Sequence, residues 1–179
     1  ADASNQLVYV AIYARFSLTD GGYSCQLVFA RTKIVPKDMS IPRAELLAAT
    51  LNATTRHVVK TSFGDYFEKA LKLTDSQIAL FWINITRSEL KLWSRNRVIE
   101  INRLTDINSW RYVKSSDMIA DLGTRKGALI EDMSPTGDWL NGKPWMRLPE
   151  NEFPVQTVSE IILCGKDRLE ANNECTKPN

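Results

Sequence analysis

The chain has a single histidine, His57, among its 179 residues, so a Ser-His-Asp or Cys-His catalytic arrangement would have to be built around that one side chain. A lone histidine is weak evidence for a site, and we read His57 as a surface or packing residue of a helix. Cysteine is nearly as scarce. Cys25, Cys164 and Cys175 form no C-x-x-C pair and leave one thiol over in any pairing scheme, which argues against a zinc site or a disulfide framework and for a reduced, intracellular setting. No apolar run approaches the roughly 20 residues of a membrane helix, and the N-terminus lacks the basic-then-apolar layout of a signal peptide. The expectation is a soluble chain with no membrane partner. There is no internal repeat. The triplets Asn52-Ala53-Thr54 and Asn84-Ile85-Thr86 match the glycosylation acceptor pattern, but they fall in helical or helix-adjacent segments and we read them as chance matches.

What remains is ordinary in bulk and uneven in detail. A 44% hydrophobic and 25% charged composition suits one well-cored domain with an appendage. The net charge of +2 hides a gradient: nine basic against seven acidic residues in 1–86, nine against five in 87–126, and five against nine in 127–179. The middle is the basic part. Such a stretch suits a phosphate backbone, although a modest excess on a helix is also what a solvated face carries.

The order of elements follows from periodicity. Leu7–Tyr13 and Gln26–Ala30 are β-branched and aromatic runs separated by Asp20-Gly21-Gly22, a hairpin signal. Ser40 is placed to cap a helix whose first turn tolerates Pro42, with Ala44, Leu47, Ala48, Leu51 and Val58 at helical spacing. Ala70–Thr74 reads as a short strand, and Asp75-Ser76 then opens an apolar helix through Ile78, Leu80 and Phe81. Ser88 is placed to cap a longer helix with Leu90, Trp93, Ile101 and Leu104 on one face. Trp110–Val113 is the next strand, followed by a short helix carrying Asp121 that Gly123 or Gly127 would close. A hairpin followed by strands alternating with helices implies a mixed α/β sheet whose later strands are parallel. We divide the chain into a domain at 1–130, a Trp/Pro/Gly-rich extension at 131–154, and a linker or tail at 155–179.

Four acids stand in distinctive settings along this order: Asp2 in Asp2-Ala3-Ser4, Glu45 in Pro42-Arg43-Ala44-Glu45-Leu46, Asp75 in Thr74-Asp75-Ser76, and Asp121 in Ala120-Asp121-Leu122. Two lie at the ends of strand-like runs and two at the starts of helix-like runs. In open sheets ligands bind at the carboxyl ends of strands, and a tight carboxylate cluster stays ionised only with cations. Aspartate and glutamate oxygens suit Mg²⁺, and paired divalent ions serve phosphodiester hydrolysis without any histidine. The competing reading is that acids gather at helix starts because the macrodipole favours them there.

The motifs, taken together, resemble a known family. Asp2-Ala3-Ser4, Tyr13-Ala14-Arg15, Ala30-Arg31-Thr32-Lys33, Ser40–Leu46, Thr74-Asp75-Ser76, Asn96–Ile101, Trp110–Val113 and Ala120–Arg125 together resemble the ribonuclease H domain of BEL/Pao-type retrotransposon polyproteins. Trp139–Trp145 resembles the tryptophan-rich segment that follows that domain. The likeness spans about Asp2 to Pro154.

The resemblance implies a ribonuclease H-like α/β fold, a five-stranded mixed sheet flanked by helices, here with its first strand truncated. It also implies a metal-dependent endonuclease that hydrolyses the RNA strand of an RNA–DNA hybrid, with Mg²⁺, or Mn²⁺, as cofactor. It assigns the metal ligands to Asp2, Glu45, Asp75 and Asp121, with Asp2 bridging two ions and Asp121 holding the one that orients water. Ser4, Arg43, Ser76 and Arg97 become candidate substrate contacts, because such a hybrid is held through phosphates and 2′-hydroxyls. The implied partners are an upstream reverse transcriptase and a downstream integrase of the same polyprotein, in a cytoplasmic virus-like particle. An integrase core on the same fold would resemble an Asp-Asp-Glu order with glutamate last, whereas here glutamate comes second.

Several departures stand against the pattern, among them the absence of the histidine that many ribonucleases H carry near the fourth ligand. The chain starts at Ala1-Asp2, which reads as a cut fragment or a gene-model boundary. Tyr9 stands where a small residue is common. Lys114-Ser115 and Met118-Ile119 replace Pro-Gly and Asn-Pro ahead of Asp121. The truncated first strand and the altered loop before Asp121 motivate an alternative, a catalytically inactive ribonuclease H-like connector that binds nucleic acid.

Overall fold

A computed structural model describes residues 1–85, 89–124, 130–161 and 165–175. Ser88, Arg125, Gly127 and Cys164, each part of a sequence expectation, lie outside the described residues. The first expected hairpin forms. Strands β2 (Leu7–Ser17) and β3 (Tyr23–Ile34) pair antiparallel, with a register shift between Ile12 and Tyr13. Gly21 takes the turn at φ +85°, a conformation glycine reaches without a Cβ clash, and the Asp20 side chain accepts from Gly22 N at 2.9 Å. Upstream, β1 (Asp2–Ala3) pairs antiparallel with β2.

Helix α1 (Ile41–Phe63) begins after Ser40 as expected, with Pro42 in its first turn and Gly64 at its end. Ser40 contributes its backbone carbonyl to Ala44 N at 3.0 Å, while its side chain makes no capping bond. The helix buries Ala44, Ala48 and Leu51 on Val8 and Val10 of β2. Its lower end turns Val59 inward and leaves Val58 and His57 exposed, one position away from the expected stripe. Asn52 is buried on this helix, which removes it as a glycan acceptor in the folded chain.

Strand β4 (Lys72–Thr74) runs parallel to β5 (Trp110–Val113). Between them lie α2 (Gln77–Asn84) and α3 (Leu92–Leu104). The expected start of α3 near Ser88 is displaced: Lys91 precedes its first turn, and Leu90 sits in the core outside the helix, bridged to Cys175. Leu46, Trp82, Ile83, Val98, Ile101 and Trp110 form the largest cluster, so α1, α2 and α3 close over β5.

The sheet differs from the five strands expected. Among the described residues the strands form two three-stranded sheets, ordered β1-β2-β3 and β4-β5-β6. The strands that would join them are only two and three residues long, and they meet where the Ala1 nitrogen donates to Leu73 O at 2.7 Å. The sixth strand, β6 (Val155–Gln156), comes from the segment expected to be a linker or tail and pairs antiparallel with β5. That segment continues into helix α5 (Gly165–Asn172), whose Ala171 joins the core and accepts from Trp82 Nε1 at 3.0 Å.

The Trp/Pro/Gly-rich stretch forms the short helix α4 (Asp138–Asn141) and 3₁₀ turns at Ile130–Met133, Pro144–Arg147 and Glu150–Glu152. It covers the face of β2 that α1 does not. Alternation explains this, since successive strand residues point to opposite faces: Val8 and Val10 face α1, and Tyr9 and Ala11 pack with Trp139 and Trp145. Tyr13 OH donates to Trp139 O (2.8 Å), and Arg15 donates to Met146 O (3.0 Å) and Leu148 O (2.6 Å). No helix of the described residues is long and apolar enough to cross a membrane.

Candidate metal centre

The short strands that break the sheet also create the site. Asp2 leads β1, Glu45 lies in the first turns of α1, and Asp75 follows the last residue of β4. Each offers a carboxylate oxygen, and these oxygens lie within 4.8 Å of one another. Asp2 and Glu45 are buried and Asp75 is half-buried.

Such packing disfavours the anions. Burial first, and then the charge of Asp75 and Asp121, push the Asp2 carboxyl up to about 6, while a hydrogen bond from Thr124 and the Ala1 ammonium oppose the rise. Burial and the charges of Asp2 and Asp75 push Glu45 up to about 9. The backbone amide of Ala3 hydrogen-bonds to Glu45, yet Glu45 Oε2 and Asp75 Oδ1 are buried without a hydrogen-bond partner. The Ala1 ammonium lies in the same field. Burial lowers its pKa, and Asp2, Asp75 and Glu45 act to raise it.

Buried carboxylate oxygens with no donor are costly, and a hard divalent cation with oxygen ligands is the chemistry that would satisfy them. The donor set fits Mg²⁺ or Mn²⁺: three carboxylates converge, with neither histidine nor thiolate among them. Asp121, in a 3₁₀ turn at Ile119–Gly123, stands outside the trio of mutually close oxygens but near enough for its charge to act on Asp2. Its segment is held by buried Met118, Ile119 and Ala120 and by Gly123, where a Cβ would come within 2.5 Å of the Tyr9 ring. The bulky Tyr9 is thus matched by a residue with no side chain.

The four candidate substrate contacts all have structural partners. Ser4 Oγ accepts from Leu7 N at 3.1 Å and closes the β1–β2 turn. Ser76 Oγ accepts from Ala79 N at 3.2 Å and caps α2. Arg43 makes two bonds to Glu174, at 2.9 and 3.0 Å. The Arg97 guanidinium lies 4.1 Å from the Trp93 ring centroid and borders a groove of about 320 Å³ with Lys33, Thr50, Thr54, Asn96 and Glu100.

Two residues of the site had no role in the sequence reading. Ser115 Oγ donates to Asp75 Oδ2 at 2.6 Å, and Thr124 Oγ1 donates to Asp2 Oδ2. The available signal was a pair of hydroxyl residues flanking the Asp121 motif, and hydroxyl residues are too common for that to single them out.

No curated protein and no solved structure matches the chain. Residues 1–76 match the family model described as a Pao retrotransposon-like RNaseH-like domain. The matched stretch contains Asp2, Glu45 and Asp75, the three acids that converge, and stops short of Asp121. Over residues 1–76, the chain is therefore similar to the Pao retrotransposon-like RNaseH-like domain.

Proposed function

We propose that the chain is a divalent-cation-dependent ribonuclease H that hydrolyses the RNA strand of an RNA–DNA hybrid during retrotransposon reverse transcription. The observation that supports this most is the convergence of Asp2, Glu45 and Asp75 with buried, undonated oxygens on Glu45 and Asp75. These three, with Asp121, would hold Mg²⁺ or Mn²⁺. Bound there, the cations would supply charge neutralisation at a scissile phosphate and a water of lowered pKa.

The chain's own contribution is to place four carboxylates and to exclude bulk water from two of them. Arg97 and Lys33, beside the groove at α1 and α3, would face the hybrid's backbone, where affinity is carried by phosphate contacts. Ser4, Ser76 and Arg43 would serve the substrate only through the faces their structural bonds leave open. An upstream reverse transcriptase and a downstream integrase of one polyprotein, in a cytoplasmic particle, complete the reading.

Mg²⁺-dependent cleavage of the RNA strand in a defined hybrid is expected to drop to background in Asp75→Asn, which removes a ligand charge and keeps the shape. Undiminished cleavage in that variant would sink the proposal. One observation favours the catalytically silent connector instead: Arg43 is already neutralised by Glu174 at the head of α1. Thermal shift with Mg²⁺ separates the two readings, because a cation that binds the folded state raises its stability by mass action.

A further inference from the structure

We propose that Ser115 and Thr124 are positioning residues, whose hydroxyls fasten the segment bearing Asp121 onto Asp75 and Asp2 and select which carboxylate oxygen each aspartate presents to a cation. The second half rests on the metal-dependent reading above; the fastening does not.

The segment runs from a 3₁₀ turn at Ser115–Asp117 through a second at Ile119–Gly123. Its apolar middle is buried in the cluster that contains Tyr9 and Val113. Its two ends are polar, and each ends on an acid of the cluster. At the head, Ser115 Oγ donates to Asp75 Oδ2 at 2.6 Å. At the foot, Thr124 Oγ1 donates to Asp2 Oδ2, while Thr124 N donates to Asp121 O at 3.2 Å. Asp121 thus lies between two hydroxyls whose partners are the other aspartates.

The bonds also make the two oxygens of Asp75 unequal. Oδ2 is taken by Ser115, and Oδ1 is buried with no partner. Glu45, about 92% buried, keeps Oε2 equally undonated. The oxygens left without donors are the ones a cation would fill. A hydroxyl donating to a ligand carboxylate fixes its orientation, and removing such outer partners weakens metal binding about 10- to 100-fold.

The test uses Mn²⁺ alone as probe, with binding read by calorimetry and thermal shift, and amide hydrogen exchange read on metal-free protein. Ser115→Ala and Thr124→Val are each expected to weaken Mn²⁺ binding about 10-fold and to speed exchange in residues 115–124, with α1 unchanged. Ser115→Thr and Thr124→Ser keep a hydroxyl and are expected to restore both readouts. Parental Mn²⁺ affinity in the Ala and Val variants, or failure of the hydroxyl-bearing variants to rescue, overturns oxygen selection. Unchanged exchange in the Ala and Val variants overturns the fastening. A parent protein that Mn²⁺ does not stabilise overturns the metal reading together with oxygen selection, and faster exchange in its variants would still support the fastening.

Discussion

Glu45 and Glu174 are equally buried, each about 8% exposed, and their surroundings are opposite. Glu174 receives two bonds from Arg43 and one from Ser94 Oγ at 2.7 Å, so both its oxygens have donors. Glu45, two residues along α1 from Arg43, faces two other carboxylates and keeps one oxygen undonated. The first is arranged as a structural acid, matched by a bidentate guanidinium whose fork fits a carboxylate. The second is arranged at the expense of the metal-free fold. One helix start therefore presents a cation to the C-terminal segment and an incompletely hydrogen-bonded carboxyl group to the cluster.

The largest effect is expected on breaking the satisfied pair. Arg43→Ala leaves the Glu174 carboxylate buried beside Ser94 with no cation, and stranding one partner of a buried pair is strongly destabilising. With Arg43 about a third exposed at its side chain, the loss is expected at about 3 kcal/mol, measured by urea denaturation. A double-mutant cycle with Glu174→Gln should show strong coupling. Additive losses would mean that the pair carries nothing and that the contrast with Glu45 is empty.

Glu45 should respond with the opposite sign. Its folded-state pKa of about 9 lies above the ordinary 4.5, and that of Asp2, about 6, lies above 3.8. Below the unfolded values both states hold their protons, so the cluster costs nothing. As pH rises from about 4 toward 9 the unfolded chain releases protons that the fold retains, and stability falls. The metal-free protein should therefore melt lower at pH 8 than at pH 5. Glu45→Gln should remove most of that slope and raise metal-free stability at pH 7 by about 2 kcal/mol, while abolishing stabilisation by Mg²⁺. A destabilised Glu45→Gln protein would show that the glutamate is held by contacts other than those described.

These contrasts also mark how far the sequence carried. The positions of Glu45 and Asp75 were legible because each sits beside a local signal: the Pro42 helix start for the first, the preceding strand and the Ser76 cap for the second. The hairpin and β5 were legible from alternation and from the Asp20-Gly21-Gly22 turn. The Arg43–Glu174 pair was not, since its partners are 131 residues apart and nothing local marks either. Strand β6 was missed because two residues carry no period. The start of α3 was missed because Leu90 continues the apolar stripe of the helix without belonging to it, packing as a bridge to Cys175. The separation of the sheets at β1 and β4 likewise depends on strand lengths that composition does not set.

A third buried charge tests whether unmatched burial is peculiar to the acidic cluster. Lys72 lies at the other end of β4 from Asp75, buried, with Nζ donating to Ser109 Oγ at 2.6 Å and Ala70 O at 3.3 Å. Both acceptors are neutral. Burial, with Arg56 adding to it and Asp106 opposing, lowers its pKa from 10.5 to about 8. The sign is the mirror of Glu45. Below pH 8 both states are protonated and the fold bears the cost of a buried ammonium; between about 8 and 10.5 the fold releases its proton first, and stability rises with pH. Lys72→Met keeps most of the side-chain volume and removes the charge, so it should raise stability at pH 7 by about 1 kcal/mol and flatten the alkaline rise. Thermal melts of both proteins at pH 7 and pH 9.5 measure this. A loss at pH 7 would show that the bond to Ser109 outweighs the buried charge, and would leave the carboxylate cluster as the place where this fold tolerates charge at its own cost.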